Sequence, residues 1–364
     1  MGHIALYREW RPKTFDEIVE QQYTVAALKQ AVISGQIGHA YLFCGTRGTG
    51  KTTMAQVFSR AVNCLSPVNG NPCNICDVCK GILSGTILDV IEMDAASNNN
   101  VDTIRRICDE VIFSPSVAKF KVYIIDEVHM LSTGAFNALL KTLEEPPAHA
   151  IFILATTEPH RIPATILSRC QRYEFRRITS SSIPSRLADI AKADMIRIDD
   201  QALSLIARIS DGALRDAISL LDQARGSFSG NITKEDILSL VGMINDDFMH
   251  DIALSLIHAD PGALISHVEK LVMEGRDINR FASDLTSFYR NVMVYKVSSD
   301  PSQLLTLSDK AMQDLRDISD RLTLDQIIAL IRSLSSLSSD LKWSLKPRIT
   351  LEAALIRLLE FREA

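Results

Sequence analysis

The sequence predicts an α/β protein: a parallel sheet with helices on both faces, built around a phosphate-binding loop and followed by two all-helical regions. Three observations carry this. Short β-rich apolar runs alternate with helical stretches up to about residue 178, the pattern of βαβ units. A glycine-rich loop directly follows one of the first runs. From Thr179 onward the chain offers helical segments and no strand candidate.

The elements are predicted in order as follows. Phe15 to Ile33 carries helical spacing, with Ile18, Val25, Leu28 and Val32 on or near one face. Strands are expected at Tyr41–Cys44, Leu88–Met93, Val122–Ile125, Ile151–Ala155 and Tyr173–Phe175, with helices at Thr52–Asn63, Val101–Ile112 and Gly134–Leu143 between them. Shorter helices fit Ser182–Met195, Asp200–Ile209, Ala213–Phe228 and Lys234–Leu240, and longer ones follow from Asn245. Ser333 to Asp340 has the composition of a serine-rich linker. Yet Ile327, Leu330, Ile331, Leu334, Leu337 and Leu341 recur at spacings of three and four. That is one face of an amphipathic helix, so a packed helix is expected.

Composition excludes several classes. A chain of 364 residues suits two or three domains with sizeable cores. No apolar run approaches the roughly 18–20 residues that span a bilayer. Residues 1–10 lack the apolar stretch of a signal peptide, so a cytoplasmic location and no membrane partner are expected. A protein that wraps nucleic acid alone is usually basic, whereas this chain carries a net charge of −5. Any contact with DNA is therefore expected through a local patch within an assembly. Four of the seven cysteines cluster, which suits a metal site in a reducing compartment better than a disulfide framework.

The loop reads Gly45-Thr46-Arg47-Gly48-Thr49-Gly50-Lys51-Thr52-Thr53 after the apolar run Ala40 to Cys44. Strand, glycine-rich turn and helix start form the context in which such a loop cradles phosphate oxygens with backbone N–H groups. Lys51 can reach the outer phosphates, and the Thr52 hydroxyl can join Asp126 in holding Mg2+. Asp126 and Glu127 end the apolar run Val122 to Ile125. At the carboxyl end of a buried strand the first acid suits a metal's water shell, and the second suits orienting an attacking water. His129 beyond them is read as structural. Thr156 or Thr157, after the run Ile151 to Ala155, could hydrogen-bond that water or the terminal phosphate. Arg169, on an expected short helix near the sheet edge, is either a surface charge or a finger for a neighbour's site. Arg215 opens a helix of the second region and could reach the phosphates.

Cys64, Cys73, Cys76 and Cys79 follow the spacing C-x8-C-x2-C-x2-C. Four thiolates with Pro67, Gly70, Asn71 and Pro72 between them can close a tetrahedral Zn2+ site, structural because no open position is implied. An iron–sulfur cluster and unliganded thiols are the alternatives. Cys44, Cys108 and Cys170 are expected as small buried apolar residues.

Together these residues resemble the AAA+ ATPases and, within them, the clamp loaders. Gly45 to Thr52 is similar to the Walker A loop, Asp126-Glu127 to the Walker B acids, and Thr156 or Thr157 to the sensor-1 position. Ser168-Arg169-Cys170 is similar to the SRC arginine-finger motif, and Arg215 to the sensor-2 arginine. Tyr7-Arg8-Glu9-Trp10-Arg11-Pro12 resembles the leader that closes over the nucleotide base, which implies roles for Tyr7, Arg8, Arg11 and Pro12. With the four-cysteine insertion, the chain resembles the gamma/tau family of bacterial DNA polymerase III. The resemblance implies a nucleotide-binding domain at 1–178 with a zinc insertion at 64–79, a helical lid at 179–242 and a helical collar at 243–364. It implies ATP, Mg2+ and structural Zn2+ as cofactors. It also implies an ATPase that opens a sliding clamp and loads it on primer–template DNA. Further copies of the chain and delta- and delta-prime-type subunits are the expected partners. Arg105, Ser132, Thr133 and Lys141 are candidate DNA phosphate contacts. A hexameric AAA+ DNA motor or helicase loader, and a non-hydrolysing assembly subunit, are the alternatives.

Overall fold

The computed structural model describes residues 5–242, 246–305, 307 and 309–359. Its strands are β1 (Ala40–Gly45), β2 (Val90–Asp94), β3 (Lys121–Asp126), β4 (Ala150–Thr156) and β5 (Gln171–Phe175). They form one parallel sheet in the order β2-β3-β4-β1-β5. Around it run α1 (Leu6–Glu9), α2 (Gln22–Ser34), α3 (Lys51–Asn63), α4 (Asp77–Ser84), α5 (Val101–Glu110), α6 (Thr133–Glu144) and α7 (Ala164–Leu167). Then come α8 (Ser182–Ala193), α9 (Asp200–Ile209) and α10 (Leu214–Ser227).

The three inner strands read as unbroken apolar runs because both of their faces are covered. Leu42 and Cys44, Tyr123 and Ile125, and Phe152 and Leu154 face one core, closed by Ile104 and Ile107 of α5 and Phe136 and Leu139 of α6. The intervening Tyr41, Phe43, Val122, Ile124, Ile151 and Ile153 face a second core with Leu28 of α2 and Met54 and Phe58 of α3. All five expected strands form, each within two residues of its predicted ends. Leu88 and Asp89 stay outside β2. Leu88 is exposed, and the Asp89 carboxylate instead accepts the backbone N–H groups of Ser116, Val117 and Ala118 at 2.8–2.9 Å.

The expected helix from Phe15 to Ile33 is broken. Phe15–Glu17 form a single 3-10 turn, and Glu20 and Gln21 take left-handed φ values of 58° and 55° before α2 begins. Long-range hydrogen bonds hold the break. The Gln21 carboxamide bonds both the N–H and the C=O of Arg176, at 3.1 and 2.7 Å, and the Glu20 carboxylate accepts from Thr179. Apolar periodicity carries no trace of such partners. Similarly α8 ends two residues early. Met195 takes φ 55°, and Ile196 N–H reaches back to the Ala191 carbonyl at 2.8 Å, closing the helix as glycine often does. Cys44 is fully buried, whereas Cys108 and Cys170 are only partly so. Arg169 lies on the turn after α7, not on the helix itself.

The chain divides into two compact units, 1–234 and 235–364, with the division inside α11 (Lys234–Val241). In the first unit α8, α9 and α10 pack through residues such as Leu187, Ile206 and Leu221. The expected boundary at 243 lies outside the described residues. The second unit contains α12 (Asp246–Ile257), α13 (Pro261–Met273), α14 (Ile278–Val297), α15 (Asp309–Arg321), α16 (Leu324–Trp343) and α17 (Pro347–Leu358).

The serine-rich stretch is part of α16. Thr323 and Gln326 exchange side-chain and backbone hydrogen bonds at its start, a full capping box. Ile327, Leu330, Leu334, Leu337 and Leu341 are buried against a core that includes Phe281, Leu285 and Tyr289 of α14. Ser335 and Ser338 donate to the carbonyls four residues back, so their hydroxyls stay satisfied within the helix. Replacing fully buried Leu334 by Ala is expected to cost about 2–5 kcal/mol in urea unfolding of this unit's signal. Ser336→Ala on the exposed face should change it by less than about 0.5 kcal/mol. Two equally neutral variants would mark the stretch as unpacked.

Candidate functional site

The parallel register brings the carboxyl ends of β1, β4 and β3 to one level, since Cys44 pairs with Thr156 and Ile125 with Leu154. Ligands of open α/β sheets bind at such an edge. From β1 the chain turns through Gly45–Gly50 into α3. Gly48 has φ +80°, and a Cβ there would stand 2.6 Å from the Ala213 Cβ, so only glycine lets the loop pass this close to the start of α10. Lys51, only 6% exposed, donates to the carbonyls of Gly45 and Thr46 at 2.8 and 2.9 Å. Burial pushes its pKa down, while the Glu127 and Asp126 carboxylates favour its charged form.

Thr52 Oγ1 donates to Asp126 Oδ2 at 2.6 Å, joining the two motifs directly. A hydroxyl and a carboxylate at that spacing are both oxygen donors, the chemistry Mg2+ selects. Glu127 sits in a left-handed conformation, φ 47°, just past the strand. Strain of this kind persists where the surroundings impose it. Here Thr157 grips Glu127 Oε2 with its backbone N–H at 3.3 Å and its hydroxyl at 3.0 Å. The neighbouring Thr156 is turned elsewhere: its Oγ1 contacts His129 Nδ1 at 3.1 Å and accepts the Glu158 N–H at 3.0 Å. The His129 side chain, only 5% exposed, stands 3.4 Å from both Glu127 and Glu158 and so ties the turn after β3 to the turn after β4.

The loop and acids form the floor of a cavity of about 150 Å³. Tyr7, Trp10, Arg11 and Pro12 form one wall, continued by Ile18 and Val19. Ile178, ahead of α8, lines the cavity with Arg186 of α8 and Leu214, Arg215 and Ile218 of α10. The Arg215 guanidinium lies 4.9 Å from the Tyr7 ring centre, and Arg186 lies 5.7 Å from that of Trp10. Trp10 Nε1 donates to Asp194, the residue capping α8, at 3.2 Å and Leu6 N–H to Asp222 of α10 at 3.1 Å, so the leader is fastened to the end of α8 and to α10.

Some candidates stand elsewhere. Arg8 does not line the cavity; its Nε donates to Tyr7 Oη at 3.1 Å. Arg169 lies outside it too, paired with Glu144 at 2.6 Å and the Thr165 carbonyl at 2.7 Å. Gly45 and Thr46 serve through the carbonyls that hold Lys51. Sequence reasoning missed Arg186, Ile18 and Val19 as wall residues. Arg186 belongs to no motif, and only packing reveals it. Of the candidate DNA contacts, Arg105 is exposed and 3.4 Å from Asp102. Ser132 caps α6 by accepting the Ala135 N–H, Thr133 is that helix's first residue, and Lys141 lies in its last turn.

Cys64, Cys73, Cys76 and Cys79 converge, with their sulfurs all within 4.8 Å of one another. A tetrahedral ion with bonds of about 2.3 Å asks for sulfurs about 3.8 Å apart, so the set fits one metal ion with little adjustment. Backbone N–H groups point at the sulfurs, from Cys73 to Cys64 at 3.2 Å, Cys76 to Cys73 at 3.4 Å and Cys79 to Cys76 at 3.4 Å. The N–H groups of Ile75 and Cys76 bring the Cys73 thiol down to about 6, while burial pushes Cys79 and Cys64 up.

The sheet, loop, paired acids and helical cap define a P-loop nucleotide-binding protein of the AAA+ type. Three family models match along the chain. "DNA polymerase III, delta subunit" matches residues 20–179, "DNA polymerase III clamp loader subunit, ATPase lid domain" 182–226, and "DNA polymerase III subunits gamma and tau domain III" 232–363. The tau subunit of DNA polymerase III from Bacillus subtilis is 45% identical over 361 residues, 99% of this chain and 64% of that protein. The gamma subunit from Buchnera aphidicola is 42% identical over 260 residues, 71% of this chain and 70% of that protein. Among solved structures, the Thermotoga maritima RuvB Holliday junction branch migration motor aligns with a TM-score of 0.48 at 21% identity, over 68% of this chain and 79% of that one. The chain belongs to the DNA polymerase III gamma/tau family.

Gly48→Ala adds a methyl against Ala213 at a left-handed position. It is expected to lower stability by about 1–3 kcal/mol in thermal unfolding of the first unit. An unchanged midpoint would mean the loop and α10 separate freely.

Proposed function

We propose that this chain is the ATPase subunit of a replicative clamp loader, using ATP binding and hydrolysis to open a sliding clamp and load it onto primed DNA. One observation carries the ATPase reading: a phosphate loop, a hydroxyl–carboxylate pair and a clamped glutamate share the floor of one cavity. The backbone N–H groups of the loop and the Lys51 ammonium would bind the phosphates. Thr52 and Asp126 would hold Mg2+, which neutralises phosphate charge. Glu127, fixed by Thr157, would orient and polarise the attacking water. Thr156, locked to His129 and Glu158, would set the height of that turn. Tyr7, Trp10, Arg11 and Pro12 would enclose the base, and Arg215 would link the phosphates to the helical lid.

Three parts are proposed: a nucleotide-binding domain at 1–178, a lid at 179–242 and a collar at 243–364. Arg169 lies outside its own cavity, the arrangement expected of a finger offered to a neighbouring subunit. Further copies of the chain, delta- and delta-prime-type subunits, the clamp and primer–template DNA are the proposed partners, in the cytoplasm. The net charge of −5 supports DNA contact through the assembly and not by the chain alone. Arg105, Ser132, Thr133 and Lys141 remain the proposed phosphate contacts, and the four cysteines the proposed seat of a structural Zn2+. Among the described residues, no helix is long and apolar enough to cross a membrane.

The deciding experiment is ATP hydrolysis by the chain reconstituted with its partner subunits, with and without clamp and primed DNA. Stimulation that requires both supports clamp loading. Indifference to the clamp in an assembled complex overturns it and favours a DNA motor.

Lys51→Ala should abolish ATP binding in equilibrium titration, whereas Glu127→Gln should bind ATP normally and lose at least about a hundredfold in turnover. Arg169→Ala should leave binding intact and lower hydrolysis of the assembled complex by about a thousandfold or more. Equal rates for that variant and the wild type would reduce Arg169 to a surface charge. Elemental analysis should find about one zinc per chain, lost in Cys76→Ser; iron with visible absorbance would contradict a zinc site.

A further inference from the structure

Tyr7, Trp10, Arg11 and Pro12, with Ile18 and Val19, wall the nucleotide cavity, but the stretch that joins them is held by the cysteine module, residues 64–79. Asn71 Oδ1 accepts the Phe15 N–H at 2.9 Å, and its Nδ2 donates to Asp16 at 2.7 Å. Asn74 Nδ2 donates to the Lys13 carbonyl at 3.0 Å, and Arg60 of α3 reaches the same oxygen at 3.1 Å. Phe15 itself is buried in the core beneath. The joining stretch is thus gripped along its backbone.

Both asparagines owe their placement to the module. Val68 and Asn71 exchange backbone hydrogen bonds at 3.0 and 2.9 Å around Asn69 and Gly70, both left-handed, which is a tight two-residue turn. A Cβ at Gly70 would lie 3.0 Å from the Lys29 carbonyl, so the turn's tip is wedged against α2. Asn74 sits between Cys73 and Cys76 with φ 56°, a conformation that closure of the four-sulfur site would hold.

We propose that Asn71 and Asn74 are positioning residues through which the cysteine module sets the leader wall of the nucleotide cavity. Occupancy of the four-thiol site is thereby coupled to affinity for the nucleoside end of the ligand. This rests on the nucleotide-binding reading above. The chemistry of the wall selects which end is affected: Trp10, Pro12, Ile18 and Val19 offer apolar surface to a base, while the phosphates belong to the loop at Gly48–Thr52. Coupling of this kind is reciprocal, so bound nucleotide also tightens the metal.

The test compares equilibrium binding of ATP and of inorganic tripolyphosphate to the wild-type chain, Asn71→Ala, Asn74→Ala and the wild-type chain after chelation of its metal. Asn74→Ala removes a single hydrogen bond and is the milder variant, and thermal unfolding verifies that each protein is folded. Loss of one or two such bonds is expected to weaken ATP roughly fivefold and leave tripolyphosphate unchanged. Unchanged ATP affinity in both variants and after chelation would overturn the proposal. A parallel loss of both ligands would overturn it as well, because it would show general loosening and not a wall effect. A wild-type chain that binds neither ligand would overturn the nucleotide reading itself.

Discussion

The site depends on the register of the parallel sheet. β1 lies beside β4 and β4 beside β3, with Cys44 opposite Thr156 and Ile125 opposite Leu154. Because the strands end together, a loop, a pair of threonines and a pair of acids that are distant in sequence emerge side by side. A slip of one residue would turn Leu42, Tyr123 and Phe152 from one core to the other. Two packed faces therefore hold the geometry of the site, and helices on both sides oppose any slip.

That geometry sets a buried ammonium beside two partly buried carboxylates. Lys51 is buried, and its ammonium is kept in place by two loop carbonyls with Asp126 and Glu127 nearby. Asp126 is engaged by Thr52, and Glu127 by Thr157. Each charged group thus has an assigned neighbour, which limits the desolvation cost that an unpaired charge would carry. The left-handed turn at Glu127 is the local strain that aims its carboxylate at Thr157.

The remaining walls come from segments with little structure of their own. Residues 5–17 hold the single turn α1 and the 3-10 turn Phe15–Glu17; they are fastened to the end of α8 and to α10 by Trp10 and Leu6, and to the cysteine module through Lys13, Phe15 and Asp16. Arg215 meets Tyr7 across the cavity. A ligand that presses on the leader therefore acts on the helical segment as well, because both ends of the contact are tied to packed elements.

The sequence by itself determined the five strands, the helices α3, α5 and α6 between them, the glycine-rich loop, the paired acids and the four convergent cysteines. Each of these is a local signal: an apolar run, a periodicity of three and four, or a short motif whose residues act together. It also identified α16 beneath its serines, because the leucine spacing outweighs composition. Tertiary structure decided what local signals do not contain. It broke the helix at Glu20 and Gln21 through bonds to Arg176 and Thr179, and divided Thr156 and Thr157 between His129 and Glu127. It also brought Arg186 and Ile18 to the cavity and turned Arg169 toward Glu144. The physical reason is common to all of these. Apolar burial repeats with the period of its own element, whereas a hydrogen bond or ion pair across the fold depends on a partner whose position only packing sets.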